Sequence, residues 1–316
     1  MQSPNTPLLP TKAGDVLHWR KLHGAAPSLS TSALSQQDKP IIYVCSDAQH
    51  MPTVAKELAF FLGSDKDIFT FPDWECLPYD RVSPHPDITS QRLLALHSLP
   101  DLNSGILIIP ITALIQRLAP TNYIAAHTFN LKVDDELDTE AFRQRLTDAG
   151  YYSVDQVMSP GEFAIRGGIV DVFPSGMKTP FRLDLFDTSI ESIRLFDTET
   201  QRSTDKLDHI KLLPAREFPL DDQSVQRFRQ AFRATVDGDA QKSMTYREVS
   251  KGLAPTGCEF YLPLFFEQTN TLFDFIPDNS AFVLEEGVME NAQSLHTEIV
   301  ERYENCLLYT SPSPRD

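Results

Sequence analysis

The chain has 316 residues, enough for about two or three domains, and is 41% hydrophobic, so a packed core is available and global disorder is excluded. Its formal net charge of -16 repels a phosphate backbone, and no Lys/Arg run supplies a local basic patch, so autonomous nucleic-acid binding is disfavoured. The N-terminus lacks a basic region followed by an apolar stretch, and runs such as ILIIPI after Gly105 are too short to span a bilayer. No membrane partner and a cytoplasmic location are therefore expected. Cys45, Cys76, Cys258 and Cys306 are scattered without C-x-x-C or Cys/His spacing, which points to reduced thiols and no zinc.

In chain order, KPIIYVCS (39–46) is an apolar run of the kind a fully buried parallel strand shows. Val54, Leu58, Phe61 and Leu62 follow at helical spacing, then a short strand at 68–71 and a Pro-rich loop, PDWECLPYDRVSPHPD. Asp87 is placed to cap a helix starting near Ile88, with Leu93, Leu94, Leu96 and Leu99 along it. GILIIP (105–110) is a second buried-type strand, and 112–118 a short helix stopped by Pro120. Strands alternating with helices predict a doubly wound parallel sheet.

The pattern changes near residue 125. Asp138 starts a helix carrying Phe142 and Leu146, with Gly150 as its stop. FAIR, GIVDVF, FRLDLFD and ESIRLFD then read as an antiparallel meander, a second and smaller α+β module. LLPAREFP (212–219) is read as its exit linker, followed by a charged helix at 221–235, the aromatic GCEFYLPLFFE, a strand at 280–284 and a helix near 290–303. The last eleven residues, CLLYTSPSPRD, back-translate to the end of a transposase-type sequencing adapter, or else are a natural Ser/Pro-rich linker. We set 306–316 aside on the adapter reading, under which the chain is the front of a longer protein.

GEFAIRGGIVDVFPSGMKTPFRLDLFD (161–187) is the most informative block. With a period of two, Phe181, Leu183 and Leu185 share one face, and Arg182, Asp184 and Phe186 the other. If the first face is core, Phe186 either stands exposed beside Arg182, the composition of a protein-binding hot spot, or lies under a loop. Asp184 either orients Arg182 or faces water.

Six strings in order, FPDWECLPYDRVSPHPDITSQRL, GILIIPITALIQRLAP, the 161–187 block, FDTETQRS, LLPAREFP and GCEFYLPLFFE, closely resemble the N-terminal, UvrB-like region of the Mfd family, the bacterial transcription-repair coupling factors. The resemblance covers nearly all of residues 10–305. It implies a degenerate helicase-type α/β domain split into two halves, 1–125 and 215–305, around an inserted UvrA-binding domain at 126–214, with the second half truncated. It further implies that Arg166, Arg182 and Phe186 contact UvrA. Arg166 precedes Gly167–Gly168, a pair suited to a turn or bulge that can aim its side chain outward. In the family, RNA polymerase, DNA, ATP and Mg are engaged by modules further along, and a C-terminal domain covers the UvrA surface. A chain lacking that domain is expected to bind UvrA constitutively.

A motor would need G-x-x-x-x-G-K-[ST]. The matching segment, LHGAAPSLSTSAL (22–34), has Gly24 but no following lysine, and Pro27 intrudes. No catalytic residue, cofactor or metal is therefore expected here. The alternatives are a UvrB-like ATP-dependent helicase and a damaged-DNA-binding protein. His85 and Asp87 lack a nearby third ligand, and Trp74 and Tyr79 either stack on a base or pack their own loop.

Overall fold

The computed structural model describes residues 7, 10, 12, 14–35, 39–63, 68–80, 82–236 and 238–310, with side chains at the C-terminal end through 304. The described elements begin with α1 (Ala26–Leu34), β1 (Pro40–Cys45), α2 (Met51–Leu62), β2 (Ile68–Thr70), α3 (Pro86–Ser98) and β3 (Gly105–Pro110). They continue with α4 (Ile111–Leu114), α5 (Thr121–Ala126), β4 (Phe129–Lys132), α6 (Thr139–Asp148), β5 (Tyr152–Ser153), β6 (Glu162–Arg166) and β7 (Ile169–Val172). Then come β8 (Phe181–Phe186), β9 (Ser189–Phe196), β10 (Ser203–Leu207), β11 (His209–Leu212), α7 (Asp222–Thr235), α8 (Met244–Val249), β12 (Ala281–Leu284) and α9 (Val288–Thr310). Helix α9 carries the backbone to Thr310, and residues 311–316 of the suspected adapter lie outside the described residues. The fold is mixed α/β with one parallel sheet and mostly antiparallel pairings elsewhere, in two compact units.

The first unit gathers the described residues up to 73, 98–116 and those from 271. Its sheet has the order β12-β1-β3-β2 with all pairs parallel. Every residue of β1 and β3 is buried, as their unbroken apolar runs require. Val54 and Leu58 of α2 and Leu34 of α1 pack on Ile41, Tyr43, Ile106 and Ile108. Each such side chain contributes about 1.5–3 kcal/mol by leaving water. Beyond the end of β12, the Glu285 carboxylate accepts from Tyr43 Oη (3.1 Å) and the Ser46 amide (2.9 Å), and lies 2.9 Å from His50 Nδ1. Burial pushes the Tyr43 phenol and the Cys45 thiol far above their ordinary ranges, so both stay protonated. The segment read for a phosphate loop is largely α1, with Pro27 in its first turn, where a missing N–H costs nothing.

The second unit comprises residues 74–97 and 117–270. Its six-stranded sheet, β10-β9-β8-β7-β6-β5, is antiparallel except at β5–β6, and a separate pair joins β4 to β11. One core lies between the meander and α6: Phe163, Val170, Val172, Phe181, Leu183, Ile190 and Ile193 meet Phe142 and Leu146, with Phe129 and Leu212 from the β4–β11 pair. Asp138 caps α6 through the Ala141 amide, and Gly150 follows at φ +88, as their residue types demand. A second core is aromatic: Phe218, Phe228, Phe232, Tyr246 and Phe265 pack with Cys258. The GCEFYLPLFFE string enters it as a 3-10 stretch, Cys258–Leu264, that propensity did not suggest.

The exit linker is itself buried at its centre. Glu217 (2% exposed) accepts from Arg92 Nε at 2.6 Å and Nη2 at 3.1 Å, and from Trp74 Nε1 at 3.1 Å. The Arg92 guanidinium also lies 5.1 Å from the Trp74 ring, whose edge meets Phe260. Trp74 is thus packed into the protein and not offered to a base.

Two boundary expectations are corrected. Helix α3 begins at Pro86, so Asp87 lies inside its first turn, and its amide faces His85 Nδ1 at 3.3 Å. Proline suits that first position because its N–H would be unpaired there anyway. The helix expected at 112–118 is α4, which closes at Leu114, because Leu118 pairs backbone to backbone with Asn270.

Candidate protein-interaction site

The meander's first face is core, and its second carries charge. Cross-strand register aligns Ala164, Asp171, Arg182 and Arg194 in one row over β6, β7, β8 and β9. The β6–β7 hairpin sets that register through Gly167 (φ +59) and Gly168. A Cβ on Gly168 would come within 2.8 Å of the Leu185 carbonyl oxygen, whose own amide donates to the Gly168 carbonyl at 2.7 Å. Gly168→Ala should therefore push β8 away just beside Phe186 and destabilise the unit by about 1–3 kcal/mol, read as a lower urea midpoint.

Arg166 and Arg182 meet on one carboxylate. Asp171 is fully buried, and its Oδ1 accepts from Arg182 Nε at 2.6 Å. Its Oδ2 accepts from Arg182 Nη2 at 2.9 Å and Arg166 Nη2 at 2.5 Å. These hydrogen bonds hold Arg182 above the usual guanidinium range. Arg182 Nη1 donates to the Gln201 carbonyl at 3.3 Å, and its Cζ lies 4.9 Å from the Phe196 ring centroid. The FDTETQRS string builds that support: Asp197 accepts from the Thr200 amide and hydroxyl, folding the turn that delivers Gln201. The hydrogen bonds from Thr200 hold the Asp197 carboxyl below its usual range.

Phe186 is 72% exposed and continues the Arg182 face four residues along β8, about 13 Å away at strand rise. No loop covers it. Asp184 does not orient Arg182 by hydrogen bonding. It accepts from Ser192 Oγ at 2.6 Å on β9 and lies 3.7 Å from Arg194 Nε. Asp171 does the orienting, a residue that sequence reading passed over. The available signal was a lone carboxylate inside the apolar run IVDV, which burial forces to find a cation.

Other candidate chemistry stays apart. His85 Nδ1 and Asp87 Oδ2 are 3.5 Å apart and exposed, and no group of three or more metal-ligating His, Cys, Asp or Glu side chains occurs among the described residues. Cys45 and Cys258 are buried free thiols. No described helix is long and apolar enough to cross a membrane.

Residues 129–218, from the first residue of β4 through the linker after β11, match the model of the UvrB interaction domain. Over 301 residues the chain is 39% identical to the transcription-repair-coupling factor of Haemophilus influenzae, covering 94% of this chain and 26% of that protein. The Escherichia coli factor is 38% identical over 299 residues, with the same two shares. The chain is a UvrB-like region of the Mfd family. The Bacillus subtilis factor matches at 29% over 303 residues, or 90% of this chain. The chain spans about a quarter of the length of these Mfd relatives. The resemblance read from the six strings is borne out along almost the whole chain.

Proposed function

We propose that this chain is the UvrA-recruiting region of a transcription-repair coupling factor, acting in transcription-coupled nucleotide excision repair. One observation supports this most: within a UvrB interaction domain, an exposed phenylalanine shares a sheet face with two arginines fixed on a buried aspartate. Such a face suits a partner offering an apolar cleft beside carboxylates. Arg166, Arg182 and Phe186 are the proposed contact residues, and residues 126–214 the inserted module that presents them.

This region is proposed to be non-catalytic, since the sequence contains no G-K-[ST]. In the longer protein, ATP-driven translocation and engagement of RNA polymerase and DNA would fall to other modules. The test is a calorimetric titration of purified UvrA into the chain, repeated with UvrB present as a competitor. Saturable binding that UvrB displaces is the expected result. No binding by a folded chain would overturn the adaptor reading, and binding that UvrB leaves untouched would overturn the shared surface.

A further inference from the structure

We propose that Asp171 is the positioning residue of this surface: one buried carboxylate sets both guanidiniums, fixing Arg182 as a strut and presenting Arg166 to the partner. The proposal rests on the UvrA-recruiting reading and assigns unequal roles to residues that reading treats alike.

The donors decide the division. A guanidinium has five N–H groups. Arg182 commits Nε and Nη2 to Asp171 and Nη1 to the Gln201 carbonyl, lies over Phe196, and has a side chain only 16% exposed. Arg166 reaches Asp171 through Nη2 alone and is 49% exposed, which leaves Nε and Nη1 to donate to a partner's carboxylate. The two arginines share Asp171 Oδ2, which brings together two cations from β6 and β8, the strands on either side of β7. Only the intervening anion makes that approach favourable. With it, the cluster carries one net positive charge on the face that also bears Phe186. Without it, like charges would repel and Arg166 would lose its single anchor.

The variant Asp171→Asn keeps the shape and removes the charge. After its fold is checked by circular dichroism and thermal melting, UvrA binding should fall at least tenfold. Adding Arg166→Ala to Asp171→Asn should cost little more, whereas in the parent Arg166→Ala costs its full amount. Independently of any partner, hydrogen exchange at Arg182 Nε, followed by arginine-side-chain NMR, should speed up at least tenfold in Asp171→Asn. Parent-like binding, strictly additive losses, or unchanged Nε exchange would each overturn the proposal. If the folded parent does not bind UvrA, the functional reading fails by itself, and the Nε exchange still decides whether the clamp exists. If Asp171→Asn does not fold, Arg182→Lys combined with Arg166→Ala reads the same coupling, because lysine cannot bridge both carboxylate oxygens. Additivity there would equally sink it.

Discussion

Phe186→Ala should weaken UvrA binding by about 30-fold or more while leaving thermal stability unchanged within about 0.5 kcal/mol. The two halves of that result have separate causes. An exposed aromatic that becomes buried on association is the kind of anchor whose truncation typically costs about 2 kcal/mol or more, and 1.4 kcal/mol is tenfold. In the free chain Phe186 is 72% exposed, so little packing is lost from the folded state. Titration calorimetry and thermal melting of the same preparation check both halves. Its neighbour Leu185 provides the contrast, since it packs against the meander core. Leu185→Ala should lower the melting temperature first. Loss of stability without loss of binding in Phe186→Ala would place the contact surface elsewhere.

Glu217→Ala should be the most destabilising of the substitutions considered, by about 3–5 kcal/mol. Glu217 and Arg92 are 2% and 0% exposed at their side chains, and the pair is bidentate. Removing the carboxylate takes the bidentate Glu217 partner away from a buried guanidinium and the acceptor away from the Trp74 indole N–H. Folded domains hold only about 5–15 kcal/mol in total, so this loss takes a large share. Urea denaturation followed by tryptophan fluorescence is suitable, because Trp74 sits in the affected network. Glu217→Gln, which keeps a hydrogen-bonding oxygen, should lose less. A shift under about 1 kcal/mol for Glu217→Ala would show that Arg92 is compensated by other groups.

What the sequence determined by itself was local and periodic. The unbroken apolar runs PIIYVC and GILIIP became fully buried parallel strands because both faces of such a strand must be dry. The alternation in FRLDLF assigned Phe181 and Leu183 to the core and left Phe186 outside, because side chains on a strand point alternately to its two faces. Asp138 and Gly150 bounded α6 through backbone chemistry that acts within a few residues. The resemblance carried by six ordered strings gave the family, for which no single string would have sufficed.

The tertiary structure decided everything that depends on which distant groups meet. The β4–β11 pair joins Phe129 to Leu212 across more than eighty residues, and each strand is too short for its period to announce it. The strings containing Arg92 and Glu217 have the pattern of a helix and a linker, yet they close on each other as a buried ion pair. Asp171 looked like one more acidic residue in a chain of net charge -16. Only the hairpin register set it opposite Arg182 and within reach of Arg166. A buried charge must be neutralised by whatever the fold brings near, and a one-dimensional pattern does not contain that neighbour.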